Sequence, residues 1–199
     1  YMIDGIEYAD SFVFNPHKWL FTNFDCSAYF VKDKAALIRT FEILPEYLKT
    51  GEKSPVNNYR DWGIQLGRRF RSLKLWFVLR SYGASGLRKL IKKHIALAQY
   101  FAGELSAEKG FEIMAPHPLS VVCFKYKPQP KLSKEKTNGL NAELLEKLNA
   151  TGKLYLSHTK LDGDFVIRMS IGQTNVEKRH VKAALIMIIK AAHKLGDKI

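Results

Sequence analysis

The chain has 199 residues, of which 46% are hydrophobic and 12% are aromatic. This composition is typical of a globular protein with a substantial core, and it excludes an intrinsically disordered chain. The sequence contains no apolar run approaching the roughly 18 residues of a membrane-spanning helix, so we expect no membrane partner.

The net charge is strongly positive, +13 at pH 7, from 32 Lys and Arg against 19 Asp and Glu. Such a charge raises nucleic acid as a partner. The basic residues are spread out, however, and no aromatic side chains alternate with them in a binding motif. We therefore expect solvated basic faces and no nucleic-acid binding, with compensation of an acidic portion outside the chain as an alternative.

Cysteines and histidines give no sign of a metal site. Cys26 and Cys123 lie far apart, without the spacing of a disulfide framework or a zinc site. A reducing compartment is the default for such a protein, so we expect a cytoplasmic location. The histidines outside the first motif show no ligand spacing, and we expect surface or hydrogen-bonded roles for His94, His117, His158, His180 and His193.

The first part of the chain predicts short strands followed by helices. Two apolar runs indicate short buried strands, and the spacing after them indicates a brief helix. A long stretch without periodicity follows; loops of this length are usually functional lids or disordered segments. Gly83 and Gly86 then separate two helices. The predicted ranges are 11–14 and 28–31 for the strands, 42–61 for the loop, and 34–41, 68–82 and 87–105 for the helices.

The remainder predicts a small α+β domain with an antiparallel sheet. Asp162-Gly163 indicates a hairpin between its last two strands. Thr174 and Glu177 have the spacing of a capping box at the start of the last helix. The predicted ranges are 111–114, 121–127, 154–158 and 165–171 for the strands, and 140–148 and 176–195 for the helices.

The heptad Asn15-Pro16-His17-Lys18-Trp19-Leu20-Phe21 lies between the first two predicted strands. It places one lysine in a tight turn flanked by aromatic residues, where we expect the amine to be partly desolvated. Desolvation favours the neutral amine, which is the nucleophilic form. A lysine of this kind suits Schiff-base chemistry with an aldehyde cofactor.

Three motifs in order carry a resemblance to a known family. They are Asn15-Pro16-His17-Lys18-Trp19, continued by Asn23-Phe24-Asp25-Cys26-Ser27-Ala28, then Pro45-Glu46-Tyr47-Leu48-Lys49, and Leu66-Gly67-Arg68-Arg69-Phe70-Arg71-Ser72-Leu73-Lys74. Together they resemble the group II pyridoxal-phosphate-dependent amino acid decarboxylases, most closely the aromatic-L-amino-acid decarboxylase branch. After residue 85 the similarity weakens, with a return at Val166-Ile167-Arg168-Met169.

The resemblance implies pyridoxal 5'-phosphate as the cofactor and Lys18 as the residue that binds it covalently. Asn15 and His17 are expected near the cofactor phosphate, which suits an amide donor and a ring N–H. A structural role in the turn is the alternative for both. Tyr47 is expected in a mobile catalytic loop, as the proton donor after CO₂ has left. Relatives with phenylalanine there tend towards aldehyde formation, so Tyr47 favours simple decarboxylation.

Gly67 is expected at the cofactor site and bears on the substrate. Histidine decarboxylases tend to carry serine at this position and in place of His17. Together with Trp19, these residues favour an aromatic substrate, while glutamate, aspartate or histidine, or a non-catalytic basic interaction module, are the alternatives. The arginines after Gly67 lie at a predicted helix start, where cations oppose the helix dipole. We therefore expect them to pair with carboxylates, within the fold or at a dimer interface, rather than to act directly at the active site.

The implied fold class is α/β: the C-terminal portion of a fold type I large domain at residues 1–88, then a small α+β domain with an antiparallel sheet at 89–199. The expected activity is decarboxylation of an L-amino acid to the amine and CO₂. Several family cofactor contacts would precede Tyr1, so we expect the chain to be inactive without an N-terminal portion of the same enzyme. The resemblance also implies a homodimer, in which Tyr47 acts in cis or in trans.

Overall fold

The structure is a computed structural model, and it describes residues 3–43 and 57–197. It divides into two compact units, Tyr1–Gly83 and Ala84–Ile199. The predicted boundary after residue 88 falls a short way inside the second unit. The assignment of residues 1–88 to a large domain and 89–199 to a small one stays a prediction.

The first unit begins with a two-stranded antiparallel sheet. β1 (Ser11–Phe14) pairs with β2 (Ala28–Val31), and Phe12 lies opposite Phe30. Both strands have the predicted ranges. The next element, α1 (Lys34–Phe41), also begins and ends as predicted. It is capped by Asp33, whose carboxylate accepts hydrogen bonds from the first backbone N–H groups of the helix.

The expectation that β1 and β2 are buried is wrong for this chain. Val13 is 59% exposed and Phe30 is 58% exposed. The physical reason is that the two strands form a sheet of their own, and a two-stranded sheet buries little surface without a covering layer. The apolar character of the strands therefore shows as an exposed apolar surface in the part of the chain that the structure describes.

The next helix, α2 (Arg71–Ala107), is interrupted at Gly83. The φ and ψ angles of Gly83 are 64° and 169°, a backbone region that essentially only glycine adopts. The predicted interruption at Gly83 is confirmed, whereas Gly86 continues the helix. The helix begins at Arg71 rather than at residue 68. A 3₁₀ turn at Tyr59–Trp62 precedes it, and most of the predicted loop lies outside the described residues.

The second unit contains the predicted antiparallel sheet. Its four strands are arranged in the order β3-β4-β6-β5, with antiparallel pairing throughout. Asp162 and Gly163, both at positive φ, connect the last two strands, which confirms the predicted hairpin. The strands are β3 (Phe111–Ile113), β4 (Val121–Tyr126), β5 (Ser157–Leu161) and β6 (Asp164–Ser170).

Two further helices complete the second unit. α3 (Lys134–Ala150) is longer than predicted and is capped by Ser133. α4 (Lys178–Gly196) has Glu177 as its N-cap residue, which forms a capping box with His180. The predicted box between Thr174 and Glu177 is therefore wrong: Glu177 is the N-cap itself, and the residue three positions after it completes the box.

The core lies entirely in the second unit. Alternate residues of β4 are buried, as expected for a sheet with one face against helices. The core also draws fully buried residues from each of the three helices packed with the sheet. Its completely buried members include Phe101, Leu105, Phe124, Leu144, Ile167 and Ile188.

Asparagine side chains of α3 complete the hydrogen bonding of the sheet. The buried Asn141 accepts a hydrogen bond from Tyr126 N–H and donates one to Tyr126 O, both at 2.8 Å. Asn138 likewise accepts from Phe165 N–H at 2.7 Å. The pairing of β4 with β6 ends before these positions. The amides therefore replace strand-to-strand bonds and join α3 to the sheet.

Candidate active site

The backbone of the Lys18 turn is closed by its own hydrogen bonds. Lys18 N–H donates to Asn15 O at 2.9 Å, and Thr22 N–H donates to Pro16 O at 3.1 Å. Pro16 is buried, whereas Lys18 is exposed. The turn therefore presents the lysine at the surface of the first unit, directly after β1.

His17 is joined to the segment that leads from the turn into β2. Its Nδ1 atom lies 2.7 Å from the carbonyl oxygen and 3.0 Å from the amide nitrogen of Cys26. His17 N–H also donates to Cys26 O at 3.2 Å. In either ring tautomer Nδ1 bonds to this backbone, so Nε2 is the ring nitrogen left for other partners. The ring packs edge-on against Phe24, with the centroids 5.0 Å apart.

Asn15 links the end of β1 to the start of β2. Its side-chain oxygen accepts a hydrogen bond from the hydroxyl of Ser27 at 2.7 Å. The NH₂ group of the Asn15 amide takes no part in this hydrogen bond. Asn15 can therefore serve the turn and donate to a ligand at the same time, so its two predicted roles are compatible.

The segment after the turn is held by the start of α2. Asp25 forms ion pairs with Arg69 and with Arg71, whose Nε lies 3.0 Å from Oδ2. Burial alone would raise the pKa of the Asp25 carboxyl, but the hydrogen bond from Arg71 and the two positive charges lower it below its usual value. The expectation that arginines of this motif pair with carboxylates is confirmed for these two.

The described residues give no support for two predicted site residues, Gly67 and Tyr47. Gly67 is exposed, and a Cβ atom added to it would meet no atom within 4 Å. Nothing in the described backbone therefore requires glycine there, and its role at the cofactor stays a prediction. Tyr47 lies outside the described residues, so its catalytic role also stays a prediction.

The turn is held in place by Asp25, Cys26 and Lys74, for which the sequence patterns predict no individual role. All three belong to the quoted motifs. A usable signal was present: one carboxylate in the first motif and several cations in the third. Because these motifs are more than forty positions apart along the chain, no periodic pattern connects them.

The donor set of the turn fits pyridoxal phosphate. A primary amine, an imidazole and a carboxamide lie within four residues, and they can hold an aldehyde and a phosphate. The hydroxyl of Thr22 is buried without a hydrogen-bond partner in the described structure, which adds a polar group beside the turn. The expected desolvation of Lys18 is not supplied by the described residues, since the side chain is exposed.

Residues 3–43 and 57–197 contain no sign of a metal site or of a membrane-spanning helix. In these ranges no three or more His, Cys, Asp or Glu side chains come together as metal ligands. The helices in the same ranges are too short or too polar to cross a membrane.

The family model for the pyridoxal-dependent decarboxylase conserved domain matches residues 1–127. The chain belongs to this family. The matched region contains Lys18, Tyr47 and Gly67, and the cofactor of the family is pyridoxal phosphate.

Decarboxylase relatives resemble nearly the whole chain. This chain is 46% identical over 200 residues to tyrosine decarboxylase 4 of Petroselinum crispum. The alignment covers 98% of this chain and 39% of that protein. The crystal structure of Oryza sativa TDC with PLP and tryptamine is similar with a TM-score of 0.90 and 36% identity, over 96% of this chain and 40% of that one. The chain thus spans about two fifths of these relatives.

A solved structure of an enzyme named for an aldehyde product is also similar. The structure of Rhodiola rosea 4-hydroxyphenylacetaldehyde synthase matches with a TM-score of 0.84 and 34% identity, over 96% of this chain and 38% of that one. Overall similarity therefore does not separate an amine product from an aldehyde product.

Proposed function

We propose that this chain supplies the cofactor-binding lysine of a decarboxylase that converts an aromatic L-amino acid to its amine and CO₂. The observation that carries the proposal is the exposed Lys18 at the end of a hydrogen-bonded turn, within a region matched by the decarboxylase family. Bound pyridoxal phosphate supplies the electron sink for the loss of the carboxylate.

The residues of the turn divide the work of holding the cofactor. Lys18 binds its aldehyde carbon through the ε-amino nitrogen. His17 has Nδ1 committed to Cys26, so Nε2 is the atom that serves the cofactor. The NH₂ group of Asn15 donates to phosphate oxygens. Tyr47 would deliver a proton to the reacting carbon, because its phenol is a weak acid.

Support for an aromatic substrate comes from the relatives. One is named a tyrosine decarboxylase, and another was solved with tryptamine. The amine product rests on Tyr47, because a family structure of comparable similarity is an aldehyde synthase.

The proposal includes partners. Because the chain spans 39% of a tyrosine decarboxylase, we propose that activity needs the cofactor contacts carried by the rest of the enzyme, including an N-terminal portion. The exposed aromatic residues of β1 and β2 are consistent with such a partner surface. A homodimer and a cytoplasmic location are part of the same proposal.

Replacement of Lys18 tests the function. In the complete polypeptide carrying this sequence, we expect Lys18→Ala to abolish decarboxylation, because no other amine is held in this turn. Borohydride reduction with pyridoxal phosphate, followed by peptide mapping, should place the pyridoxyl group on Lys18. The control is Lys89→Ala, an exposed lysine of α2 in the second unit, which should leave activity unchanged. A wild-type protein that carries no adduct on Lys18 contradicts the proposal.

The same preparation identifies the reaction. Tyrosine, tryptophan, glutamate, aspartate and histidine are offered in turn, and CO₂, amine and aldehyde are quantified. We expect turnover of an aromatic amino acid with the amine as the product. Turnover of an acidic amino acid alone would contradict the substrate class, and an aldehyde product would contradict the role of Tyr47.

A further inference from the structure

A cluster of ion pairs and hydrogen bonds surrounds Asp25 in the first unit. Its two carboxylate oxygens are taken by different arginines, Oδ1 by Arg69 and Oδ2 by Arg71. The side chain of Asp25 is 31% exposed and that of Arg71 is 26% exposed, so this second pair is partly shielded from water. Such a pair restrains its partners more than a fully exposed one does.

The backbone around Asp25 is held as well. The ammonium group of Lys74 donates to the carbonyl oxygens of Asn23 and Asp25, at 2.9 Å and 2.8 Å. The thiol of Cys26 lies 3.8 Å from the carbonyl oxygen of Arg71. Side chain and main chain of this segment are therefore both attached to the first turn of α2.

This attachment continues to the lysine through two residues. Cys26 follows Asp25, and its backbone bonds to the His17 ring and to His17 N–H. His17 precedes Lys18. The Lys18 side chain is exposed, so its direction is set by the backbone of the turn rather than by packing around the side chain.

We propose that Asp25 is a positioning residue, which fixes the Lys18 turn on the start of α2 and so sets the direction of the ε-amino group. The physical reason is that covalent chemistry depends steeply on approach geometry, and misplacement by about 1 Å can cost about 10²-fold in rate. This inference rests on the proposed function, because it assigns Asp25 a part in presenting the cofactor-binding amine.

The test compares Asp25→Asn with Asp33→Ala in the complete polypeptide. Asparagine keeps the shape of the side chain but removes the charge that pairs with Arg69 and Arg71. Asp33 lies in the same unit and caps α1, and no described contact joins it to the Lys18 turn. Asp33→Ala therefore reports what general destabilisation of the unit does to the lysine.

Three quantities are measured for each variant: the rate of borohydride-trapped pyridoxyl adduct at Lys18, the same rate at the exposed reference Lys89, and the visible circular dichroism of the bound cofactor. For Asp25→Asn we expect the Lys18 rate to fall about 10-fold or more, an altered dichroic band, and an unchanged rate at Lys89. Asp33→Ala should leave all three within about twofold of the wild type, and Asp25→Glu should recover part of the Lys18 rate.

A variant that fails to fold does not end the test. If Asp25→Asn unfolds, Lys74→Met replaces it, because this change removes the two bonds to the carbonyl oxygens and leaves the ion pairs. We expect it to slow trapping at Lys18 without slowing it at Lys89.

The outcomes separate this inference from the proposed function. If the wild type traps the cofactor at Lys18 and the folded variants do so equally fast, Asp25 is not a positioning residue, while the proposed function stands. Equal slowing at Lys18 and Lys89 also overturns the inference, since it indicates a general effect. A wild type that forms no adduct at Lys18 overturns the proposed function and the inference with it.

Discussion

The two units of the chain, Tyr1–Gly83 and Ala84–Ile199, differ in the burial of their apolar side chains. The second unit buries aromatic and aliphatic residues from every helix and from the sheet in one core. In the first unit, Pro16, Cys26 and Leu37 are the buried apolar residues among those described, whereas large side chains from Ile3 to Tyr82 are exposed. Lys18 thus lies in the unit that has little core of its own.

This difference in burial indicates that the two units differ in how they are stabilised. A unit with a closed core can hold its shape by itself, because burial of apolar surface is the main favourable term in folding. A unit with exposed aromatic strands depends on a surface that covers them. The predictions below measure how far this contrast between the units extends.

The largest expected effect is a loss of stability when a buried phenylalanine of the second unit is replaced, compared with an exposed phenylalanine of the first unit. Phe124→Ala in the second unit should lower the free energy of unfolding by about 3–5 kcal/mol, because it leaves a cavity in a packed core. Phe124 is fully buried, whereas Phe30 in the first unit is 58% exposed. Phe30→Ala should therefore cost less than about 1 kcal/mol. Urea denaturation followed by circular dichroism measures both, and equal losses would break the contrast.

A smaller effect is expected from the amide that joins α3 to the sheet. Asn141→Ala should lower the free energy of unfolding by about 2–4 kcal/mol, because it leaves a buried N–H and a buried C=O of Tyr126 without their hydrogen-bond partner. The control is Asn149→Ala, a half-buried asparagine that bonds to the backbone of Leu156, with an expected loss of about 1 kcal/mol. A larger loss for Asn149→Ala in the same urea titration would refute the role given to Asn141.

The smallest effect is a pH dependence of the second unit. Burial lowers the pKa of His94 below the usual 6.5, against the opposing hydrogen bond with Gln173 O. The folded state therefore binds fewer protons than the unfolded state. The stability of the neutral form is complete above pH 6.5 and is lost as the pH falls below it.

Replacement of His94 measures this term. We expect the midpoint of wild-type unfolding to be lower at pH 5.5 than at pH 7.5. The decrease should be smaller in His94→Gln. The control is His158→Gln, because His158 is exposed and stacks on Phe165; its pH dependence should match that of the wild type. A fall of the same size in His94→Gln would assign the effect to other groups.

Local patterns predicted most of the fold. The alternation of Val122, Phe124 and Tyr126 indicates a strand with one buried face, and the structure has it. The turn chemistry of Asp162-Gly163 predicted a hairpin that is present. These features could be predicted because each depends on neighbours a few residues away.

Longer-range features could not be predicted from such patterns. The first turns of α3 are polar and precede the predicted helix range of 140–148, yet they are helical, because Ser133 caps them and Asn138 bonds to the sheet. The last hairpin's first strand was placed on Leu154 to His158, whereas the structure pairs Ser157–Leu161. For α3 the deciding partner is the sheet, because Asn138 bonds to Phe165, 27 positions away along the chain.

The candidate site divides in the same way. The motif around Lys18 marks the turn from the sequence alone. The anchoring of that turn depends on Asp25 and Arg71, whose separation along the chain is 46 residues, and no periodicity links them.

The open β1–β2 pair has a practical consequence for anyone who produces this polypeptide. Ser11-Phe12-Val13-Phe14 is short, uncharged and rich in β-forming residues, and its sheet has no third strand in the described ranges. Uncovered edges of this kind template intermolecular strand addition and amyloid-like assembly. Soluble expression would therefore benefit from a lysine or proline on the outer edge of this pair.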